Sequence, residues 1–89
     1  MQEKQITIIN KLGLHARAAA KLINVTSQFS CAIQLTKDGR SVDGKSIMSV
    51  MMLAASKGTD LIITTEGEDE QKAILAIETL INNRFDEEE

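Results

Sequence analysis

Apolar and polar residues alternate along "QITII" (Gln5–Ile9), with Ile6 and Ile8 on one side and Gln5 and Thr7 on the other. A period of two predicts a half-buried strand. "NKLG" breaks it. From about Ala16 to Ser27 alanines and Leu22 favour helix, and Ala16, Ala19, Ala20 and Ile23 recur at the spacing of a core-facing stripe. Alternation returns in "CAIQLT" (Cys31–Thr36), with Ile33 and Leu35 inward and Gln34 and Thr36 outward. "KDGR" supplies an Asp-Gly turn that ties this strand to a short return strand in "RSVD". A second helix is predicted from about Ser46 to Ser56, with Val50, Leu53 and Ala54 facing inward and Gly58 placed to end it. "DLIITTE" reads as the fourth strand. "GEDEQKAILAIETLINNRF" reads as a third helix, acids in its first turn as the dipole prefers, with a stripe of Ala73, Ile74, Ile77, Leu80 and Ile81.

The order is β-α-β-β-α-β-α. Strands with one polar face and helices with one apolar stripe imply a two-layer α+β fold, its sheet covered on one side only. Eighty-nine residues fit a single domain over residues 1–85 followed by an acidic tail, 86–89. That tail is expected to be solvated and poorly ordered, as terminal charge runs usually are.

Charge changes the picture. The net charge of −3 hides an asymmetry: Lys11 to Lys57 carries seven basic residues against Asp38 and Asp43, whereas Gly58 to the end carries ten acids against Lys72 and Arg84. The basic half suits an anionic substrate or an acidic partner surface. A lone Cys31 excludes an internal disulfide framework and fits a reducing compartment. No apolar run approaches the roughly 20 residues of a membrane span, and the first residues lack a signal-peptide pattern. The expectation is a cytosolic protein.

The only histidine, His15, lies in that basic half, in "GLHARAAAKL" directly before the first helix. A helix start leaves N–H groups unpaired and carries partial positive charge, so the N–H groups of Ala16 and Arg17 can receive a phosphate. The Arg17 guanidinium can add a charge-assisted bond. Both surroundings favour neutral imidazole, and histidine in that form is a covalent nucleophile. Gly13 lets the loop turn tightly. On these residues alone a surface histidine in a capping loop stays open, and so does a hydrolase, although no G-x-S-x-G elbow is present. His15 and Cys31 are too few to ligate a metal, and no Gly-rich loop offers to hold a nucleotide; no metal or cofactor is expected.

"NKLGLHARAAAKL" together with "GKSIMSVMMLAASKG" resembles the histidine-containing phosphocarrier (HPr) family of the bacterial phosphotransferase system, over nearly the whole chain except the tail. The resemblance implies an open-faced sandwich, a four-stranded antiparallel sheet with three helices on one face. It implies that His15 takes a phosphoryl group on Nδ1 from phosphorylated enzyme I and hands it to a IIA-type acceptor, while Arg17 holds the phosphoryl oxygens. The protein would be a carrier rather than an enzyme. Many family members have proline at position 18; Ala18 is expected to be tolerated. "HARAAA" with "MMLAASKG" leans toward the nitrogen-branch carriers (NPr) of this family.

In the second helix Ile47, Met48 and Met51 cluster beside the core stripe, a flexible apolar patch suited to docking several partners. Ser46 reads first as a helix N-cap. The resemblance makes it also a target of HPr kinase/phosphorylase, where phosphate would place negative charge beside the patch. The rival function is a regulatory protein-binding module whose phosphorylation state is the signal. A nucleic-acid binder is disfavoured, because the outward sheet positions hold no aromatics for stacking bases. A monomer without membrane contact is expected.

Overall fold

The computed structural model describes residues 1–89. The elements are β1 (Gln2–Thr7), α1 (Ala16–Thr26), β2 (Ala32–Lys37), β3 (Arg40–Asp43), α2 (Ile47–Met52), β4 (Asp60–Glu66) and α3 (Glu70–Asn82), with a short 3-10 turn at Arg84–Asp86. The strands lie in the order β1-β4-β2-β3, every neighbouring pair antiparallel. This is the open-faced sandwich: a four-stranded antiparallel sheet and three helices.

Register follows from the alternation. Gln5, Ile62, Thr36 and Ser41 line up across the sheet on its open face, whereas Ile6, Leu61, Ile63, Ile33 and Leu35 point under the helices and are buried. A slip of one residue would expose that apolar set, so the pairing is strongly specified. Asp38 (φ 50) and Gly39 (φ 82) both sit in the left-handed region, as a tight two-residue hairpin turn requires. The helices close the core with Leu22, Val50, Ala73, Ile77 and Ile81, and Phe85 is fully buried beyond α3.

The structure corrects four expectations. The buried stripe of α1 is Ala18, Ala19, Leu22 and Thr26; Ala16 is exposed, and Ala20 and Ile23 are half-buried. Leu22 and Thr26 set the face: Thr26 can be buried because its hydroxyl donates to Gly44 O at 2.8 Å. Helix α2 stops at Met52 rather than Ser56. Ala54 takes φ 52 and is exposed, and Ala55 turns into the core in its place. Gly58 therefore ends no helix; its N–H donates to Ile8 O at 2.7 Å, at the end of β1.

The third helix spans Glu70–Asn82, shorter than the predicted segment though it contains the whole apolar stripe, and at its start the Asp69 side chain is used elsewhere. Its carboxylate makes no cap within α3 and instead accepts from the N–H groups of Ser30 and Cys31, both at 2.9 Å. That joins the start of α3 to the start of β2. The fourth correction concerns the tail: Asp86, Glu88 and Glu89 are exposed, but the segment folds back over the loop that follows β1 and Glu87 is half-buried.

Candidate functional site

The loop between β1 and α1 is shaped by its own backbone. Gly13 N–H donates to Asn10 O at 3.2 Å, Asn10 Nδ2 donates to Gly13 O at 2.8 Å, and Gly13 has φ +68. Its missing side chain matters twice, since a Cβ there would stand 2.6 Å from Ala55 O and 2.8 Å from Ser56 Cα. Leu14 then buries its side chain and donates its N–H to the same Ala55 O at 2.8 Å. The chain is thus fastened on both sides of the turn before it reaches His15.

His15 is the N-cap of α1, with extended backbone (φ −78, ψ 179), and its carbonyl accepts from Ala19 N–H at 2.8 Å. The imidazole makes no capping bond, so it is free for other contacts at the positive end of the helix. Its side chain is 28% exposed, half sheltered in a surface cleft that also contains Ala16, Arg17, Lys11 and Lys21. The sequence-predicted phosphate group of His15, Ala16 and Arg17 is therefore brought together at one helix mouth. The Arg17 guanidinium enters no ion pair.

The other wall of the cleft is the tail. Glu87 Oε2 lies 2.5 Å from His15 Nε2, and Glu87 Oε1 accepts from Asn10 Nδ2 at 3.0 Å. Burial pushes the Glu87 carboxyl up, but the hydrogen bonds from Asn10 and His15 outweigh it and hold the group below the usual carboxylate range. Lys21 Nζ donates to Phe85 O at 2.8 Å, and the Lys11 N–H donates to Glu89 O. Asn10 is completely buried; both acceptors around its NH2 group fix the orientation of the amide, and its Oδ1 is left without a partner.

Asn10, Lys11, Lys21 and Glu87 are absent from the sequence-based candidates. Asn10 and Glu87 are 77 residues apart, and no local pattern links them. The one usable signal was Phe85, an aromatic residue immediately before the acidic run. It is wholly buried and anchors the tail.

Ser46 and the α2 patch lie apart from the cleft. Ser46 is an N-cap, its Oγ accepting from Ser49 N–H at 3.3 Å. Ile47 and Met51 are 38% exposed, Met48 is 66% exposed, and Met52 at 60% enlarges the patch beyond the three predicted residues. The link from α2 to His15 runs through Ala55 O and Leu14. No cluster of three or more His, Cys, Asp or Glu side chains is placed to hold a metal.

Residues 2–83 match the family model for the PTS HPr component phosphorylation site. The chain is 59% identical to the phosphocarrier protein HPr of Pseudomonas aeruginosa and 54% identical to that of Pseudomonas putida, each over 90 residues and the full length of both chains. The crystal structure of HPr from Thermoanaerobacter tengcongensis superposes with a TM-score of 0.97 at 45% identity, covering all of both chains.

Proposed function

The chain belongs to the HPr family of phosphocarrier proteins of the phosphotransferase system, and from that premise we propose that His15 carries the phosphoryl group and Arg17 steadies it. The observation that carries the reading is the placement of the His15 imidazole at the N-cap of α1, making no capping bond, with Arg17 at the same mouth.

The Nδ1 lone pair of His15 attacks the phosphorus of phosphorylated enzyme I, whose phosphoryl group derives from phosphoenolpyruvate. The new N–P bond forms as the donor's bond to phosphorus breaks, and the donor keeps that electron pair. Little covalent work falls to this chain; positioning and charge stabilisation dominate such transfers. The N–H groups of Ala16 and Arg17 and the Arg17 guanidinium receive the phosphoryl oxygens. A nucleophile on a IIA-type acceptor then takes the group, and His15 returns to its resting state. All residues invoked come from one chain, so a monomer suffices. No helix is long and apolar enough to cross a membrane, and the proposed setting is the cytoplasm.

Ile47, Met48 and Met51 form the proposed docking patch. A phosphate on Ser46, the candidate site of a kinase/phosphorylase, would replace the cap to Ser49 and set negative charge beside Met48 and Met51, weakening acidic partners. The exposed methionines also favour a second reading, a binding module whose phosphorylation state is the signal.

The test is incubation with phosphoenolpyruvate and enzyme I of the sugar or the nitrogen branch. An acid-labile, base-stable gain of one phosphoryl group, lost in His15→Ala, is expected, and the faster enzyme I identifies the branch. No gain on folded protein overturns the carrier reading and leaves the binding module.

A further inference from the structure

We propose that Asn10 and Glu87 form a relay that positions His15, with Glu87 setting the ring and Asn10 setting Glu87. This rests on the carrier reading above for its purpose, though not for its geometry. An ionised carboxylate only accepts hydrogen bonds, so the 2.5 Å contact of Glu87 Oε2 with His15 Nε2 places a proton on Nε2. In neutral imidazole the lone pair is then on Nδ1. The ring presents Nδ1 to a donor and keeps Nε2 turned to the tail.

Glu87 can act in this way only if it is itself held. Its second oxygen is tied to Asn10 Nδ2 at 3.0 Å, and the same NH2 group holds Gly13 O at 2.8 Å. One buried amide therefore fixes both the loop in front of His15 and the carboxylate behind it. Phe85 is fully buried, with Lys21 Nζ on its carbonyl, and it stops the tail from drifting.

The arrangement also suits the transfer. When the Nδ1 lone pair becomes the N–P bond, the ring gains a positive charge and retains the Nε2 proton. Glu87 faces that charge, in the way the carboxylate of a catalytic triad supports its imidazolium. On transfer to the acceptor the N–P bond electrons return to Nδ1, and the ring is neutral again.

The experiment begins without any donor. The His15 Nε2–H resonance of the full ¹⁵N-labelled chain is followed in the wild type, Glu87→Ala, Glu87→Gln and Glu88→Ala. A protected signal is expected in the wild type and in Glu88→Ala, and a weakened one in Glu87→Gln, whose single amide oxygen cannot accept from both Asn10 Nδ2 and His15 Nε2. Solvent exchange should erase it in Glu87→Ala. Phosphorylation by enzyme I should fall about tenfold in Glu87→Ala, the loss expected for one charge-assisted bond, and recover in part in Glu87→Gln. Asn10→Ala should lose the same signal; if that variant does not fold, Glu87→Ala decides.

An unprotected Nε2–H in the wild type overturns the relay. So does a Glu87→Ala protein that keeps the signal, or one phosphorylated within about twofold of the wild-type rate. If the wild type takes no phosphoryl group yet shows the protected, Glu87-dependent signal, the carrier reading fails while the positioning of the ring stands.

Discussion

Replacing Gly13 by alanine tests how the His15 loop is held. The added Cβ would meet Ala55 O at 2.6 Å and Ser56 Cα at 2.8 Å, both backbone atoms that cannot swing aside as a side-chain tip would. Two costs add. A left-handed φ of +68 costs alanine roughly 1–2 kcal/mol, and forcing a carbon into a filled space costs roughly 1–3 kcal/mol more. We expect a total of about 3 kcal/mol, against the roughly 5–15 kcal/mol that holds a domain together. For a chain of this length that lowers the melting midpoint by roughly 12–24 °C.

Gly39→Ala is the control. Its φ is +82, but nothing lies within 4 Å of a Cβ there, so only the backbone penalty applies. Gly39→Ala should lose about 1 kcal/mol, or roughly 4–8 °C. Paired thermal and urea unfolding by circular dichroism measures the difference. The Gly13 variant should also accept phosphate more slowly at temperatures where it is folded, because the clash falls on the carbonyl that Leu14 uses. Coincident melting of the two variants would refute the reasoning, showing that the Ala55–Ser56 backbone yields without cost.

Three further outcomes follow from the same structure. Ala54→Gly should raise the unfolding free energy by about 0.5–1 kcal/mol, read as a higher urea midpoint, because Ala54 is exposed with φ 52 and glycine removes that strain at some cost in unfolded-chain entropy. The Asp69 carboxyl is held below its ordinary 3.8, first by the Ser30 N–H and then by its contacts with Cys31. Its contribution is complete above that ordinary value and lost as pH falls through the folded value, so acid titrations should show a stability loss that Asp69→Asn flattens. The Cys31 thiol is 2% exposed and pushed up, mainly by burial, so a thiol-directed dye at pH 8 should leave the folded protein unmodified and react fully in denaturant.

The strands were legible because a period of two admits one inward set: Ile6, Ile8, Ile33 and Leu35 were read as inward and are buried, and β4 begins and ends with "DLIITTE". Helix α3 kept its stripe for a similar reason, its large aliphatic residues leaving one choice of face. The face of α1 was harder to read. A run of alanines offers several stripes of nearly equal apolarity, and the choice was made by Leu22 and by Thr26, whose hydroxyl needed the Gly44 carbonyl. His15 and Arg17 could be proposed as a pair because they are local in sequence and share one helix mouth. Glu87 could not, because its partner Asn10 lies at the other end of the chain, and an acidic run without context reads as solvated.

The early end of α2 is the most instructive departure, since "LAASKG" has good helix propensity and the helix nevertheless stops at Met52. A helix end leaves carbonyls to be satisfied, and here the three just past Met52 go to specific donors. Lys37 Nζ donates to Leu53 O at 3.0 Å and Ala54 O at 3.4 Å, and Leu14 N–H donates to Ala55 O at 2.8 Å. Continuing the helix would turn Ala55 out of the core and take its carbonyl from Leu14. The left-handed Ala54 is what keeps that carbonyl aimed at the His15 loop, so local propensity yields to a tertiary bond. The residues that end the methionine-bearing helix are therefore the same ones that hold the His15 loop. A change at either end of this short backbone contact should be felt at the other.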